Sequence, residues 1–94
     1  NEPLQGAQME EYGLVNYVNE NYLEKAFEWA HNISEMAPHS VNYIKSNLRD
    51  AMDSSYAESM ENETKAQKFL GNSMDYKEGL SAFFDKRPPQ FQGH

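Results

Sequence analysis

The sequence contains no cysteine. A disulfide scaffold, a zinc site held by thiolates and a cysteine nucleophile are therefore excluded. Basic residues are also scarce: 8 Lys and Arg stand against 15 Asp and Glu, for a net charge of -7. An acidic surface repels phosphate backbones, which argues against nucleic acid as a partner. The one basic spot, Lys86-Arg87, is too small to bind a nucleic acid or a membrane by charge alone. No apolar run approaches the roughly 20 residues that span a bilayer, so no membrane is expected as a partner. No internal repeat is visible. No signal-peptide pattern opens the chain. The expected location is the cytoplasm or another reducing or organellar lumen, such as that of the mitochondrion or peroxisome.

What is present is enough apolar surface for a small core. Hydrophobic residues make up 38% and aromatics 13% of 94 residues, so the composition is not that of a disordered chain. The length allows one domain at most. The start, Asn1-Glu2-Pro3, carries no Met and suits a fragment or a processed product.

Helical signals dominate, so the expected class is mainly α. Leu4 to Glu11 reads as a short helix that Gly13 stops, since glycine enters a left-handed turn without a Cβ penalty. Residues 14–18 (Leu-Val-Asn-Tyr-Val) alternate and read as a brief strand or extended segment. Asn21 with Glu24 has the form of a capping box. The helix it opens sets Leu23, Ala26, Phe27, Ala30, Ile33 and Ala37 on one stripe. Pro38 ends that helix and suits the first turn of the next, whose apolar face is Val41, Ile44, Leu48, Ala51 and Met52. Asp53-Ser54-Ser55 is the expected break, with Asp53 or Ser54 as the helix cap. Tyr56 to Leu70 is a third long helix with a weaker stripe of Ala57, Met60, Thr64 and Phe69 or Leu70, and Gly71-Asn72 stops it. A last helix begins near Asp75-x-x-Glu78, with Tyr76, Leu80, Phe83 and Phe84 as its apolar side. Gly79 within it costs about 1 kcal/mol relative to alanine, which close approach of another backbone would explain. From residue 87 the run Pro88-Pro89-Gln90-Phe91 must be extended and reads as a tail laid over a surface.

Several groupings invite a chemical reading. Glu28, His31 and Glu35 share one helix face and could ligate a metal or pair a base with its orienter; without a His-Glu-x-x-His pattern, a solvated face is the plainer account and no metal is assigned. His39 and His94 read as exposed. Glu10-Glu11 resembles an acid/base pair but reads as a solubilising pair at a helix end. Met9, Met36, Met52, Met60 and Met74 could line an acyl pocket or simply fill gaps. Asp53-Ser54 shares two residues with the phosphopantetheine attachment string of acyl carrier proteins, while helix capping explains it more simply.

Three strings in register carry a resemblance. Tyr12-Gly13-Leu14-Val15-Asn16, then Ala37-Pro38-x-Ser40-Val41-x-x-x-Lys45, then the closing run from Glu78-Gly79 through Ala82-Phe83 and Lys86-Arg87-x-Pro89-x-Phe91 are similar to landmarks of the crotonase superfamily, the enoyl-CoA hydratase/isomerase type. The resemblance covers nearly the whole chain and concerns the family's C-terminal segment. It implies that residues 1–18 end the crotonase core and that residues 19–94 are a helical region for oligomerisation and for covering coenzyme A. The catalytic backbone N–H pair and acidic residues would lie in an N-terminal core absent from these residues, so no catalytic residue is assigned. The parent enzyme would be an enoyl-CoA hydratase or isomerase and a trimer or hexamer. Coenzyme A would enter as part of an acyl-CoA substrate, with no covalently bound cofactor. By the same resemblance Phe83 would pack on the adenine and Lys86 would approach the phosphates. The chemistry suits them, since an aromatic face stacks on a base and an ammonium pairs with phosphate. The other readings of the residues are a stand-alone helical interaction module and an acyl carrier protein.

Overall fold

The structure is a computed structural model that describes residues 2–94. Where the length suggests one domain, the chain divides into two compact units, Asn1–Asn32 and Ile33–His94. Among the described residues five helices follow in order: α1 (Gly6–Glu11), α2 (Tyr22–Ser34), α3 (Pro38–Ala51), α4 (Tyr56–Gly71) and α5 (Met74–Asp85). The mainly α class holds.

In the first unit, α1 starts two residues later than its pattern suggests and stops where glycine predicts. Gly13 has φ +76, and the Leu14 N–H returns to the Met9 carbonyl at 2.8 Å, closing the helix end in the manner that a left-handed residue permits. Residues 14–18 do not form a strand; they follow the turn as bends and irregular chain. A strand needs a ladder partner for its N–H and C=O groups, and the described residues contain no second strand. Val18 packs instead toward Gly6, its methyl 3.4 Å from where a Cβ would stand. At the entry to α2, Asn19 rather than Asn21 supplies the local side-chain bond: its Oδ1 accepts from the Asn21 N–H at 2.7 Å.

In the second unit, α3 packs on α4 and α4 on α5. Pro38 occupies the first turn of α3, where its missing N–H goes unnoticed. The cap of α4 is Ser55, one or two residues beyond the expected positions. Its Oγ accepts from the Glu58 N–H at 3.1 Å, and Glu58 Oε1 accepts from the Ser55 N–H at 3.1 Å. This capping box holds the Glu58 carboxyl below its ordinary range, chiefly through the Ser55 backbone N–H. Likewise Ser73, not Asp75, caps α5, accepting from the Tyr76 N–H at 3.1 Å.

The helices turn their small and polar faces inward. The side chains of α4 that leave full exposure are Ser59, Asn62, Ala66 and Leu70; those of α5 are Asp75, Glu78, Gly79 and Ala82. Among the described residues only Ala66, Ala82 and Asp75 are buried. The stripes expected to form a core stand in water: Leu23, Phe27 and Ile33 on α2, Ile44 and Leu48 on α3, and Tyr76, Leu80, Phe83 and Phe84 on α5. Met36, Met52, Met60 and Met74 are exposed as well, so these four fill no gap within the chain. The areas agree. The chain exposes 8260 Å² at a mass of 10.9 kDa. A folded monomer of that size exposes about 5,600 Å², and two separate folded bodies of half the mass about 6,700 Å² together.

Gly79 faces not a backbone but the Phe91 ring, which would lie 3.4 Å from an added Cβ. That is ordinary contact, so Gly79→Ala should keep the ring in place and gain up to ~1 kcal/mol of helix propensity. Gly79→Leu should push Phe91 away. Thermal denaturation of the two variants, followed by far-UV circular dichroism, checks both directions.

Candidate functional site

The polar chemistry of the second unit gathers around α5 and the segment that follows it. Helix α5 ends in a left-handed residue, Lys86, at φ 54 and ψ 44. The Arg87 N–H then reaches the Ala82 carbonyl at 3.0 Å. The chain reverses there and runs back along its own helix. Arg87 forks onto Glu78, Nη1 to Oε1 at 2.6 Å and Nη2 to Oε2 at 3.1 Å. The Gln90 N–H donates to the same Oε1 at 3.0 Å. Phe91 is half-buried over Gly79. The N–H groups of Gln92 and Gly93 donate to Asp75 Oδ1 at 2.7 Å and Oδ2 at 2.8 Å. The Asp75 N–H donates to the His94 carbonyl at 2.8 Å.

These bonds set the charges. The Arg87 guanidinium, helped by the Gln90 N–H, holds the Glu78 carboxyl down to about 2. Arg87 is raised in turn, chiefly by its hydrogen bond to Glu78. Asp75 is 4% exposed. Its carboxyl lies below the ordinary range because the Gln92 N–H, then that of Gly93, stabilise the anion against the opposing effect of burial, with His94 and His39 adding weaker attraction.

A groove of about 290 Å³ runs beside this segment, with Leu70, Tyr76, Gly79, Leu80, Phe83 and Phe91 among its walls and His39 and Ser40 at its α3 side. Phe83 is 76% exposed and meets Phe84 edge to face at 5.7 Å. Lys86 follows three residues later at the reversal, its N–H on the Phe83 carbonyl at 3.3 Å. The two residues singled out by resemblance therefore stand at one end of α5, both exposed.

The other groupings fare differently. Among the described residues no three His, Asp or Glu side chains gather as a metal site; Glu28 pairs with Lys25 at 3.3 Å. His39 is not exposed but half-buried, its ring 5.7 Å edge-on to Phe69. Glu10 and Glu11 are exposed at the end of α1. The Ser54 hydroxyl donates to the Asp50 carbonyl at 2.6 Å, so it closes α3 rather than opening α4.

The sequence reading missed Asp75 as a buried acceptor and Glu78 with Arg87 as a pair. The signal available was two carboxylates one helical turn apart, an arginine nine residues on, and a Pro-Pro tail that must run extended.

The model of the enoyl-CoA hydratase/isomerase family matches residues 1–94, and the chain belongs to that family, within the crotonase superfamily. It is 38% identical over 89 residues to methylmalonyl-CoA decarboxylase of Escherichia coli, covering 87% of this chain and 33% of that protein. It is 30% identical over 92 residues to 1,2-epoxyphenylacetyl-CoA isomerase of the same organism, covering 96% and 35%. Among solved structures, enoyl-CoA hydratase from Bacillus anthracis matches with a TM-score of 0.88 at 31% identity, over 95% of this chain and 35% of that one. An enoyl-CoA hydratase from Polaromonas sp. JS666 matches with a TM-score of 0.89 at 25% identity, over 97% and 36%. The chain thus spans about a third of the length of the curated relatives that it matches.

Acid should loosen the tail. The folded Glu78 carboxyl titrates near 2, against about 4.3 when unfolded. Its contribution is therefore complete above about pH 4.3 and lost as pH falls toward 2, with Asp75 acting in the same direction. An NMR titration of the Gln90, Gln92 and Gly93 amides between pH 6 and 2, on the order of these limits, should show detachment in that window. Glu78→Gln should flatten the response at Gln90.

Proposed function

We propose that this chain is the helical covering region of an enzyme that acts on acyl-CoA thioesters. Its apolar faces pack against a β-rich catalytic core of the family's kind and against other subunits. The end of α5 presents Phe83 and Lys86 to the nucleotide end of coenzyme A. The observation that carries this reading is the inverted burial: helices that bury alanine and aspartate while leaving Leu, Ile and Phe stripes in water are shaped for a surface outside themselves. The relatives' names add support, since each reaction so named acts on a coenzyme A thioester. Hydration or isomerisation of an enoyl-CoA, with the thioester oxygen stabilised by backbone donors, is the parent chemistry that fits the family. The residues assigned here take no part in proton transfer.

Lys86 gives the nucleotide contact its physical footing. A side chain in the left-handed region is strained, and glycine is the usual occupant of a helix end of this kind. Holding a lysine there is understandable if its ammonium has work to do, such as meeting a phosphate. Lys86→Gly should therefore raise stability by about 1 kcal/mol while weakening coenzyme A binding by about tenfold. Lys86→Ala should weaken binding without the gain in stability. Isothermal titration with coenzyme A and urea unfolding of the same samples measure both effects; unchanged affinity in the two variants would sink the assignment.

The uncovered faces also imply self-association. Light scattering across a concentration series should show oligomers of the chain, and a strictly monomeric species at high concentration counts against the covering role. The purified chain should not turn over crotonyl-CoA.

A further inference from the structure

We propose that Asp75 and Glu78 are positioning residues: they hold residues 87–94 as a strap along α5, and the strap fixes the left-handed turn at Lys86. Use of that turn to place Lys86 and Phe83 for coenzyme A rests on the reading above; the hold on the turn does not.

The geometry points this way from both ends. At one end Lys86 has φ 54, a conformation that a residue with a Cβ does not adopt by preference. At the other end Asp75, 4% exposed, turns both oxygens to the backbone: 2.7 Å to Gln92 and 2.8 Å to Gly93. Between them Glu78 takes the Arg87 fork and the Gln90 N–H, and Phe91 lies on Gly79. Pro38 faces Gly93, its Cγ 3.5 Å from where a Cβ would stand. Attachments at 87, 90, 91, 92 and 93 answer to α5 positions 78, 79 and 75, so the strap can lie where it does only if the chain reverses right after Asp85. The two carboxylates thus hold the far side of a loop whose strained corner is Lys86. An extended Pro-Pro run suits the strap, since little backbone freedom remains to be lost.

The donor count makes the carboxylate at position 75 hard to replace. The two N–H groups meet different oxygens, so an amide in the same place would accept from one of them and set its own NH₂ against the other. Asp75→Asn, in the whole chain, should keep its helix content by circular dichroism. Amide exchange at Gln92 and Gly93 should accelerate by at least about tenfold. The Lys86 N–H to Hα coupling and its carbon shifts should move away from left-handed values. Arg87→Lys, on an exposed side chain, keeps the charge and loses the fork; it should free the Gln90 amide and shift Lys86 in the same sense, and it decides the matter if Asp75→Asn does not fold. Lys86 remaining left-handed after the strap is freed, or a strap that stays protected in both variants, overturns the proposal.

Coenzyme A titrations of the same samples separate the two ideas. Weaker binding in step with the loss of the turn supports positioning, and unchanged binding despite that loss overturns it. A wild-type chain that does not bind coenzyme A at all ends the nucleotide reading, while the coupling and exchange results still decide what holds the turn.

Discussion

One carboxylate with two backbone N–H partners anchors the end of this chain. Asp75 sits in the first turn of α5, where the helix N-terminus favours negative charge. It spends both oxygens on residues 17 and 18 positions away. Hydrogen bonds to an ionised acceptor are stronger than neutral ones, and here they convert a proline-rich tail into a fixed wall. The placement of Phe91 on Gly79, the Arg87 fork on Glu78 and the reversal at Lys86 are all compatible with only one course of the backbone, the one that ends at Asp75.

The second theme is what the helices do with their faces. Close approach of α3, α4 and α5 uses small residues such as Ala66 and Ala82, and ring contacts from His39 and Tyr43 to Phe69 close the α3–α4 seam. The bulky residues are left over. In a protein with its own core this would be an inversion of the usual economy of burial. In a member of the enoyl-CoA hydratase/isomerase family that spans about a third of its curated relatives, the same faces become contact surface under the role proposed above.

Helix positions were legible because the 3.6-residue stripes, Pro38 and Gly13 act locally, and local signals do not depend on what lies across the helix. The inward faces were not legible. A stripe such as Ile44 and Leu48 says which side seeks apolar company but not whether the company is in the same chain. The strand reading of residues 14–18 failed for a related reason, since alternation specifies a surface and a strand also needs an edge to pair with. Ser55 rather than Ser54 as the cap lay within the one- or two-residue uncertainty of helix ends. Phe83 and Lys86 entered through resemblance alone. Asp75, Glu78 and Arg87 act over 9 to 18 residues of sequence, and no periodicity reports bonds of that span.

The sparse burial also shapes how the chain responds to temperature. The heat-capacity change of unfolding scales with the apolar area newly wetted. Side chains already hydrated in the native state, such as Leu48, Met52 and Phe83, add almost nothing to it. The free chain should therefore have an unusually flat stability curve, broad calorimetric melting and little tendency toward cold denaturation, while the same residues covered by a partner would restore the curvature of an ordinary globular protein.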